Sequence, residues 1–270
     1  MRGLVACIGL LVAGGLSAQS IDTVRVEVHG HAVALYVSGQ GPTVVLESGG
    51  GSSSRAWSAV VPQLAKAARV VSYDRPGYGL SEPCDSPRTA QRIARELKDA
   101  LAKARLDGPY VVAGWSYGGA IARVFAGMHP GEVIGLVLVD PAMEDFYPRA
   151  AREAPDGYSA AEEEYFGELY ADSARLAEKR EGYGYLSSME QARDSDVLHA
   201  TPTTVLIAAG GINRSPDDPL SRIWVDQLKR WVAGRPNTLA VMVDSGHHIA
   251  RDDPAAVISA VLKHLAVDRK

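Results

Sequence analysis

The ten residues Tyr110-Val-Val-Ala-Gly-Trp-Ser-Tyr-Gly-Gly119 contain the pattern that decides the fold of this chain. Their first four residues are apolar or β-branched and predict a buried strand. The apolar stretch from Gly118 to Met128 has the length of a helix. Glycines on both sides of the serine allow the backbone to turn sharply between these two elements. The stretch therefore predicts a strand, a tight turn and a helix, with Ser116 exposed at the tip as a candidate nucleophile.

Similar strand patterns occur on both sides of this turn. Short apolar runs, each typical of a strand buried on both faces, lie at Thr43–Leu46, Arg69–Tyr73, Val133–Val139, Thr203–Ala208 and Thr238–Val243. Amphipathic stretches of helical length separate them at 88–104, 221–232 and 254–265. This alternation predicts the α/β class, with a mostly parallel central sheet covered by helices on both faces.

Two further segments depart from the alternation. Residues 23–28 and 32–37 alternate apolar and polar residues, which predicts an antiparallel hairpin at the sheet edge. We interpret His29 and His31, between these runs, as part of a solvated turn and not as metal ligands, because no third ligand is in view. Residues 142–200 contain no buried-strand run but include helix-favouring stretches. They are predicted to form an inserted helical cap, which leaves 19–141 and 201–270 as the core.

The composition predicts one medium-sized domain with a full apolar core and narrows the classes of partner. The 270 residues are 46% hydrophobic and 22% charged, with a net charge of −4. Because no dense Lys/Arg stripe is present, nucleic acid is not expected as a partner. Residues 1–18 have a basic start and a short, glycine-interrupted apolar run, which predicts a cleaved signal peptide, export to the periplasm or medium, and no stable membrane insertion. Cleavage there would leave Cys84 as the single cysteine.

Several motifs together resemble the α/β-hydrolase superfamily from about Val24 to the C-terminus, apart from the cap. Besides the Ser116 turn they are Leu46-Glu-Ser-Gly-Gly-Gly51, Tyr73-Asp-Arg-Pro-Gly-Tyr-Gly-Leu-Ser81, Leu136-Val-Leu-Val-Asp140 and Ser245-Gly-His-His248. Each falls at the end of a predicted strand, where open α/β sheets place their ligands. The resemblance implies a serine hydrolase that cleaves an ester-like bond, with no metal and no organic cofactor.

The resemblance also implies a base and an acid. A serine hydroxyl needs a neighbouring imidazole to accept its proton, and the Gly-His setting assigns this role to His247. Most members carry the acid after the next-to-last strand, where this chain has Asn213. A minority carry it one strand earlier, where Asp140 stands. We expect Asp140 to be the acid, with Asp217 or Asp218 as the alternative.

Two backbone amides are expected to bind the oxyanion of the reaction intermediate. They belong to Tyr117, directly after the nucleophile, and to Gly50 in the glycine loop. Ser48 occupies the place where relatives usually have histidine, so this loop is a variant of the family pattern. A phosphate-binding loop is disfavoured because no Lys-Ser/Thr follows the glycines. Asp74 and Arg75 are expected to hold neighbouring loops by hydrogen bonds.

The substrate depends on the cap. Carboxylesterase is the broadest expectation, with lactone hydrolase and proline-iminopeptidase-like activity as alternatives, and a catalytically weak ligand-binding protein as the rival class. The partner would be a small acyl substrate, and the oligomeric state stays open. Aromatic residues of the cap could line an apolar pocket or form the cap's own core: Tyr147, Tyr158, Tyr165, Phe166, Tyr170, Tyr183 and Tyr185.

Overall fold

The computed structural model describes residues 21–172, 174–196 and 200–267. Its strands are β1 (Asp22–Val28), β2 (His31–Ser38), β3 (Thr43–Glu47), β4 (Arg69–Asp74), β5 (Tyr110–Trp115), β6 (Val133–Val139), β7 (Thr203–Ala208) and β8 (Thr238–Val243). Its helices are α1 (Val61–Leu64), α2 (Ala90–Lys103), α3 (Tyr117–Met128), α4 (Phe146–Glu153), α5 (Pro155–Ala171), α6 (Leu176–Ser195), α7 (Pro219–Ala233), α8 (Ile249–Asp252) and α9 (Pro254–Val267), with a 3₁₀ turn at Ser54–Trp57.

All the strands belong to one sheet, in the order β1-β2-β4-β3-β5-β6-β7-β8. β2 pairs with β1 and β4 in the antiparallel sense, and every other neighbouring pair is parallel. The predicted α/β fold with a mostly parallel sheet is therefore confirmed, and the predicted hairpin forms its edge. Within the described residues, no helix is both long and apolar enough to cross a bilayer.

The apolar core is divided between the two faces of the sheet. Successive residues of a strand point to opposite faces, and Val111 and Val112 accordingly belong to two different apolar clusters. One cluster includes side chains of α2, α3 and α7, and the other includes side chains of α1, α8 and α9. Helices on both faces thus bury the central strands, as the continuous apolar runs predict.

One strand differs from its prediction. We expected Thr238–Val243 to be buried on both faces, but in β8 Leu239 is 52% exposed and Met242 is 47% exposed. The reason is its position, because β8 is the last strand of the sheet and pairs only with β7. An apolar run indicates a strand but does not tell where in the sheet it lies.

The turn between β1 and β2 also differs in part. His29 is exposed and hydrogen bonds to Asp99 at 2.8 Å, as expected of a solvated turn. His31, however, is only 4% exposed. It is the first residue of β2, and the alternation of that strand directs its side chain inward. The interpretation of His31 as solvated was wrong.

The segment predicted as a cap, residues 142–200, lies between β6 and β7 and contains α4, α5 and α6. α6 is docked closely on the core. A Cβ at Gly184 would lie 2.4 Å from the carbonyl oxygen of Arg88, and the Ser188 hydroxyl accepts a hydrogen bond from the backbone N–H of Ala90 at 2.8 Å. The predicted signal peptide, residues 1–18, lies outside the described residues, so export remains a prediction.

Candidate active site

The carboxyl ends of the parallel strands bring the candidate residues to one edge of the sheet. Gly50 follows β3, Ser116 follows β5, Asp140 follows β6 and His247 follows β8. These strands run in the same direction, so the loops that follow them lie along the same edge. The sheet therefore brings together residues that are far apart in the chain.

Ser116 lies on a strained turn. Its φ is 54° and its ψ is −123°, in a region that residues other than glycine rarely adopt. The flanking glycines have no room for a side chain. A Cβ at Gly114 would be 2.3 Å from the Gly118 carbonyl oxygen, and a Cβ at Gly118 would be 2.5 Å from the Glu47 oxygen. The two glycines are thus required by close packing between β3, β5 and α3.

The imidazole of His247 connects Ser116 with Asp140. Its Nε2 lies 3.0 Å from Ser116 Oγ, and its Nδ1 lies 2.7 Å from Asp140 Oδ2. Ser116 is 131 residues away from His247 in the sequence, and Asp140 is 107 residues away. Nδ1–H would donate to the carboxylate, which leaves Nε2 unprotonated and facing the hydroxyl. This arrangement can deprotonate a serine hydroxyl.

Asp140 is completely buried, and it too has a positive φ, 42°. Its Oδ1 accepts a hydrogen bond from the backbone N–H of Ala208 at 3.0 Å. Its Oδ2 accepts one from the indole N–H of Trp224 at 3.0 Å, in addition to the contact with His247. These donors hold the carboxylate in place without neutralising its charge, because amide and indole groups carry no net charge.

The alternative acids lie in a different environment. Asp218 is the N-cap of α7, and its Oδ2 accepts hydrogen bonds from Ser221 N at 2.7 Å and from Asn213 Nδ2 at 3.1 Å. Among the described residues, neither Asp218 nor Asp217 hydrogen bonds to His247. Asn213 serves the cap of α7 and not the imidazole. The structure therefore brings Asp140, and not the 217–218 pair, to His247.

The glycine loop after β3 is held from behind by Arg75. This buried guanidinium donates to the backbone carbonyl oxygens of Ser48 at 2.7 Å and Gly49 at 2.6 Å. It also donates to Glu47 Oε1 at 2.7 Å and to Glu181 Oε1 at 2.6 Å. Glu181 lies on α6, in the segment predicted as a cap. Burial alone would lower the pKa of the Arg75 guanidinium, but the two carboxylates raise it well above its usual value. The expectation that Arg75 holds neighbouring loops agrees with these contacts.

Arg75 also determines the direction of the Gly50 amide. The Gly49 carbonyl and the Gly50 N–H belong to one trans peptide unit, so they point in opposite directions. Because the carbonyl points to Arg75, the N–H points away from it. A Cβ built on Gly50 would lie 3.6 Å from Tyr117 Cβ, so the two residues predicted to supply oxyanion donors are neighbours.

Comparison with known families assigns the chain to a family. A model described as "Alpha/beta hydrolase family" matches residues 44–260, which is most of the chain. The chain belongs to the α/β-hydrolase family. The match includes the glycine loop, the Ser116 turn, Asp140 and His247.

Curated relatives of this α/β-hydrolase match over part of their length. The chain is 35% identical over 105 residues to the uncharacterized protein YqjL of Bacillus subtilis, covering 39% of this chain and 42% of that protein. It is 34% identical over 108 residues to a pimeloyl-[acyl-carrier protein] methyl ester esterase of Nitrosomonas europaea, covering 40% of each. The chain therefore matches less than half the length of either relative.

Solved structures share the fold of this α/β-hydrolase over nearly the whole chain. DBJA superposes with a TM-score of 0.71 at 16% identity, covering 92% of this chain and 99% of that one. A thermophilic esterase from Thermogutta terrifontis superposes with a TM-score of 0.62 at 21% identity, covering 92% and 100%. The epoxide hydrolase CorEH reaches 0.59 at 18% identity, covering 93% and 100%. At these identities the likeness concerns the fold.

Aromatic residues of the cap pack onto the core and not only onto one another. Tyr185 stacks on Tyr117 with ring centroids 5.8 Å apart, and Tyr147 meets Tyr185 edge-on at 5.1 Å. Phe146 contacts Trp224 at 4.9 Å. Burial raises the pKa of Tyr185 well above its usual value, which keeps the phenol neutral.

The other aromatic positions of the cap have different surroundings. Tyr158 contacts Tyr147 with ring centroids 6.0 Å apart. Tyr165 donates a hydrogen bond to Glu178 at 2.9 Å, and Tyr183 is 73% exposed. The side chains of Phe166 and Tyr170 lie outside the described part of the chain. Tyr117 itself is only 3% exposed, so the aromatic residues that pack around it form a largely buried cluster next to the Ser116 turn.

Among the described residues, one cluster has donor types that could bind a metal. The ligand atoms of His31, Cys84 and Glu96 lie within 4.8 Å of one another. Arg88 Nη1 already donates to Glu96 at 2.6 Å and to Cys84 Sγ at 3.4 Å. A guanidinium in that position would repel a metal cation. We therefore interpret the cluster as a buried ion pair with a neighbouring thiol.

Two contributors to the site could not be identified from the sequence. Trp224 reaches Asp140 from α7, and Glu181 reaches Arg75 from α6. Neither residue lies in a motif, and each is remote in sequence from its partner. Arg75 was identifiable as a loop-holding residue, but the carboxylate from the cap was not. A periodic pattern shows which face of a helix is polar, and it does not show what that face will contact.

Proposed function

We propose that this protein is a serine hydrolase that cleaves an ester-like substrate through an acyl-enzyme intermediate. The observation that carries the proposal is the position of His247, whose two ring nitrogens lie 3.0 Å from Ser116 Oγ and 2.7 Å from Asp140 Oδ2. A matching relative described as a methyl ester esterase supports an ester bond as the target.

In the proposed reaction, Ser116 Oγ attacks the carbonyl carbon while His247 Nε2 accepts the hydroxyl proton. Asp140 holds Nδ1–H and stabilises the imidazolium that forms. The tetrahedral intermediate then collapses: the bond to the alcohol breaks, and His247 returns the proton to the leaving oxygen. Water, deprotonated by the same imidazole, then attacks the acyl-serine; the bond between the acyl carbon and Ser116 Oγ breaks, His247 returns the proton to Oγ, and the acid is released.

The amides of Gly50 and Tyr117 are proposed to bind the oxyanion. Two features support this role: the direction that Arg75 imposes on the Gly49–Gly50 peptide, and the position of Tyr117 at the first turn of α3. The positive end of a helix dipole favours a negative charge there. One donor of this kind is typically worth about 3–4 kcal/mol of transition-state stabilisation.

The partly buried rings of Tyr147 and Tyr185, which pack around Tyr117, favour a substrate with an apolar portion. Simple acyl esters are therefore the first substrates to test. Lactones and amino-acyl amides, which the same mechanism would cleave, test the narrower alternatives of lactone hydrolase and proline-iminopeptidase-like activity.

A fluorophosphonate probe tests the proposal directly. The folded protein is expected to react with one equivalent at Ser116, as located by peptide mass spectrometry, and to hydrolyse 4-nitrophenyl acetate or butyrate. Ser116→Ala removes a single oxygen and should abolish both reactions while the unfolding curve stays unchanged. A folded wild-type protein that neither reacts with the probe nor hydrolyses any of the acyl esters, lactones or amino-acyl amides named above would refute the proposal.

A further inference from the structure

The residues on either side of Ser116 face opposite surroundings. Tyr117 belongs to the apolar cluster that includes the aromatic residues of the cap, whereas Trp115 belongs to the cluster on the other face of the sheet. The indole of Trp115 packs near the rings of His247 and His248, with centroid distances of 5.5 and 4.8 Å. Trp115 is 7% exposed and Tyr117 is 3% exposed, so the two side chains lie beneath the Ser116 turn on opposite faces of the sheet.

A groove of about 430 Å³ lies beside Trp115. Its walls include Gly51, Trp115 and His248. Each is one residue away from a group of the proposed mechanism, since Gly51 follows Gly50, Trp115 precedes Ser116 and His248 follows His247. The groove therefore borders the loops that carry these groups, although Ser116 and His247 are not among its lining residues, and its size suits part of a small ligand.

The lining of this groove consists of hydrogen-bond donors and apolar surface. Two guanidinium groups, from Arg55 and Arg251, line it together with the hydroxyl-bearing residues Ser52, Ser53 and Ser58. No aspartate or glutamate is among its lining residues in the described part of the chain. A guanidinium offers only donors, in a planar fork that matches carboxylate and phosphate oxygens.

The charge of these arginines is not cancelled by their neighbours. Arg55 has no carboxylate partner among the described residues. Arg251 Nε donates to Asp252 at 2.9 Å, but Arg214 also binds that carboxylate, so the three groups together keep a positive charge. Burial lowers the pKa of the His248 imidazole, so the two guanidinium groups supply the charge of the groove at neutral pH.

The acidic side chains nearest to Gly51 are themselves paired. Glu181 is bound by Arg75 at 2.6 Å, and Glu178 is bound by Arg175 at 2.7 Å. Both glutamates lie on α6, which approaches the glycine loop from the cap. Because Glu47 shares Arg75 with Glu181, the positive charge of the groove comes from its own lining residues, Arg55 and Arg251.

We propose that this groove is a subsite for an anionic oxygen group, carboxylate or phosphate, carried by the ester substrate. The proposal rests on the serine hydrolase function proposed above and specifies its substrate class. The apolar part of the ester would lie against the Tyr117 side, and the anionic group would be bound between Arg55 and Arg251. Because both arginines are exposed, water and salt screen them, so the preference should weaken as ionic strength rises.

Matched pairs of esters test the subsite. 4-Acetoxybenzoate and 4-acetoxyphenyl phosphate carry a carboxylate or a phosphate on the leaving group, and methyl 4-acetoxybenzoate is their neutral counterpart. Phenyl hydrogen succinate and methyl phenyl succinate place the same difference on the acyl side. The quantity to measure is the ratio of kcat/KM for the anionic ester to that for its neutral partner, at low and at high salt.

Wild-type protein should prefer the anionic member of at least one pair. Arg55→Gln and Arg251→Gln should each lower that ratio by about ten-fold, the scale of one charge-assisted hydrogen bond, mainly through KM. The pair that responds identifies the end of the ester that carries the charge, and the carboxylate and phosphate arms identify the anion. Arg230→Gln, an exposed arginine on α7 outside the groove, is the matched control and should leave the ratio unchanged.

Two results would overturn the subsite and are distinguishable. If neutral esters are hydrolysed and Ser116 reacts with fluorophosphonate, but neither arginine variant changes any ratio, the subsite is wrong and the hydrolase function stands. If no ester of either charge is hydrolysed and Ser116 does not react, the proposed function fails and the subsite fails with it.

Discussion

Asp140 and Glu181 are both buried carboxylates close to the proposed reaction centre, yet their charges are balanced in different ways. Asp140 is held by a backbone N–H, an indole N–H and an imidazole, and in the described residues no arginine or lysine pairs with it. Glu181 is held by the guanidinium of Arg75, which Glu47 also binds.

This difference indicates two different roles for the carboxylates. A carboxylate with neutral donors retains a charge that can stabilise an imidazolium when it forms. A carboxylate already paired with a guanidinium has little charge left for such a role, but its geometry is fixed by two-point contacts. We therefore expect Asp140 to act through His247, and Glu181 to act as a positioning residue through Arg75 and the glycine loop.

The largest effect is expected for Asp140→Asn. The amide would present either a donor or an uncharged acceptor to His247, so the imidazole loses its orientation and its charge stabilisation. We expect kcat for the best ester to fall by about 10⁴-fold, with little change in the far-UV spectrum. Asp218→Asn, at the cap of α7, is the control and should keep near wild-type kcat. Wild-type activity in Asp140→Asn would move the acid to the 217–218 loop.

Arg75→Met tests the ionic side of the comparison. The substitution would leave Glu47 and Glu181 buried without their cation, and breaking such a pair typically costs about 3–5 kcal/mol of unfolding free energy. Urea denaturation measures this loss. Arg230→Met removes an exposed arginine from α7 and should shift the midpoint very little. A loss below about 1 kcal/mol for Arg75→Met would mean that the network does not stabilise the loop.

Glu181→Gln separates positioning from simple stability. Glu47 would still bind Arg75, so the protein should fold, but the glycine loop loses its connection to the cap. We expect about ten-fold weaker binding of a trifluoromethyl ketone, which forms an oxyanion at Ser116, and a lower kcat with little change in KM.

Glu190→Gln is the matched control for this experiment, because Glu190 also lies on α6 but is exposed to solvent. If both glutamine variants weaken the ketone equally, the effect comes from the cap in general and not from Arg75.

The smallest effect is expected for Trp224→Phe. Phenylalanine keeps most of the ring packing and removes the N–H that donates to Asp140 Oδ2 at 3.0 Å. The loss of one such bond is worth about 1–2 kcal/mol, and we expect kcat to fall several-fold. Trp231→Phe lies on the same helix and removes an indole N–H that donates to Asp196 instead. An equal loss of kcat in both variants would argue against a role for the Trp224 N–H.

Local patterns in the sequence were enough to predict the turn at Ser116, the succession of strands and helices along the chain, and the class of fold. Continuous apolar runs predict buried strands, and glycines at 114 and 118 predict a turn without room for side chains. The same reasoning was wrong for β8 and for His31. In both cases the outcome depended on how much of the surrounding sheet covers a residue, and neighbouring residues in the sequence do not contain that information.

The sequence by itself determined that a serine at a strand end, a histidine near the C-terminus and three candidate acids were available. Only the tertiary structure decided that Asp140 meets His247, that Trp224 supports it, and that Glu181 of the cap holds Arg75 behind the glycine loop. The physical reason is distance along the chain. Contacts between residues about a hundred positions apart follow from the strand order and from the docking of α6, which arise from the packing of the whole domain.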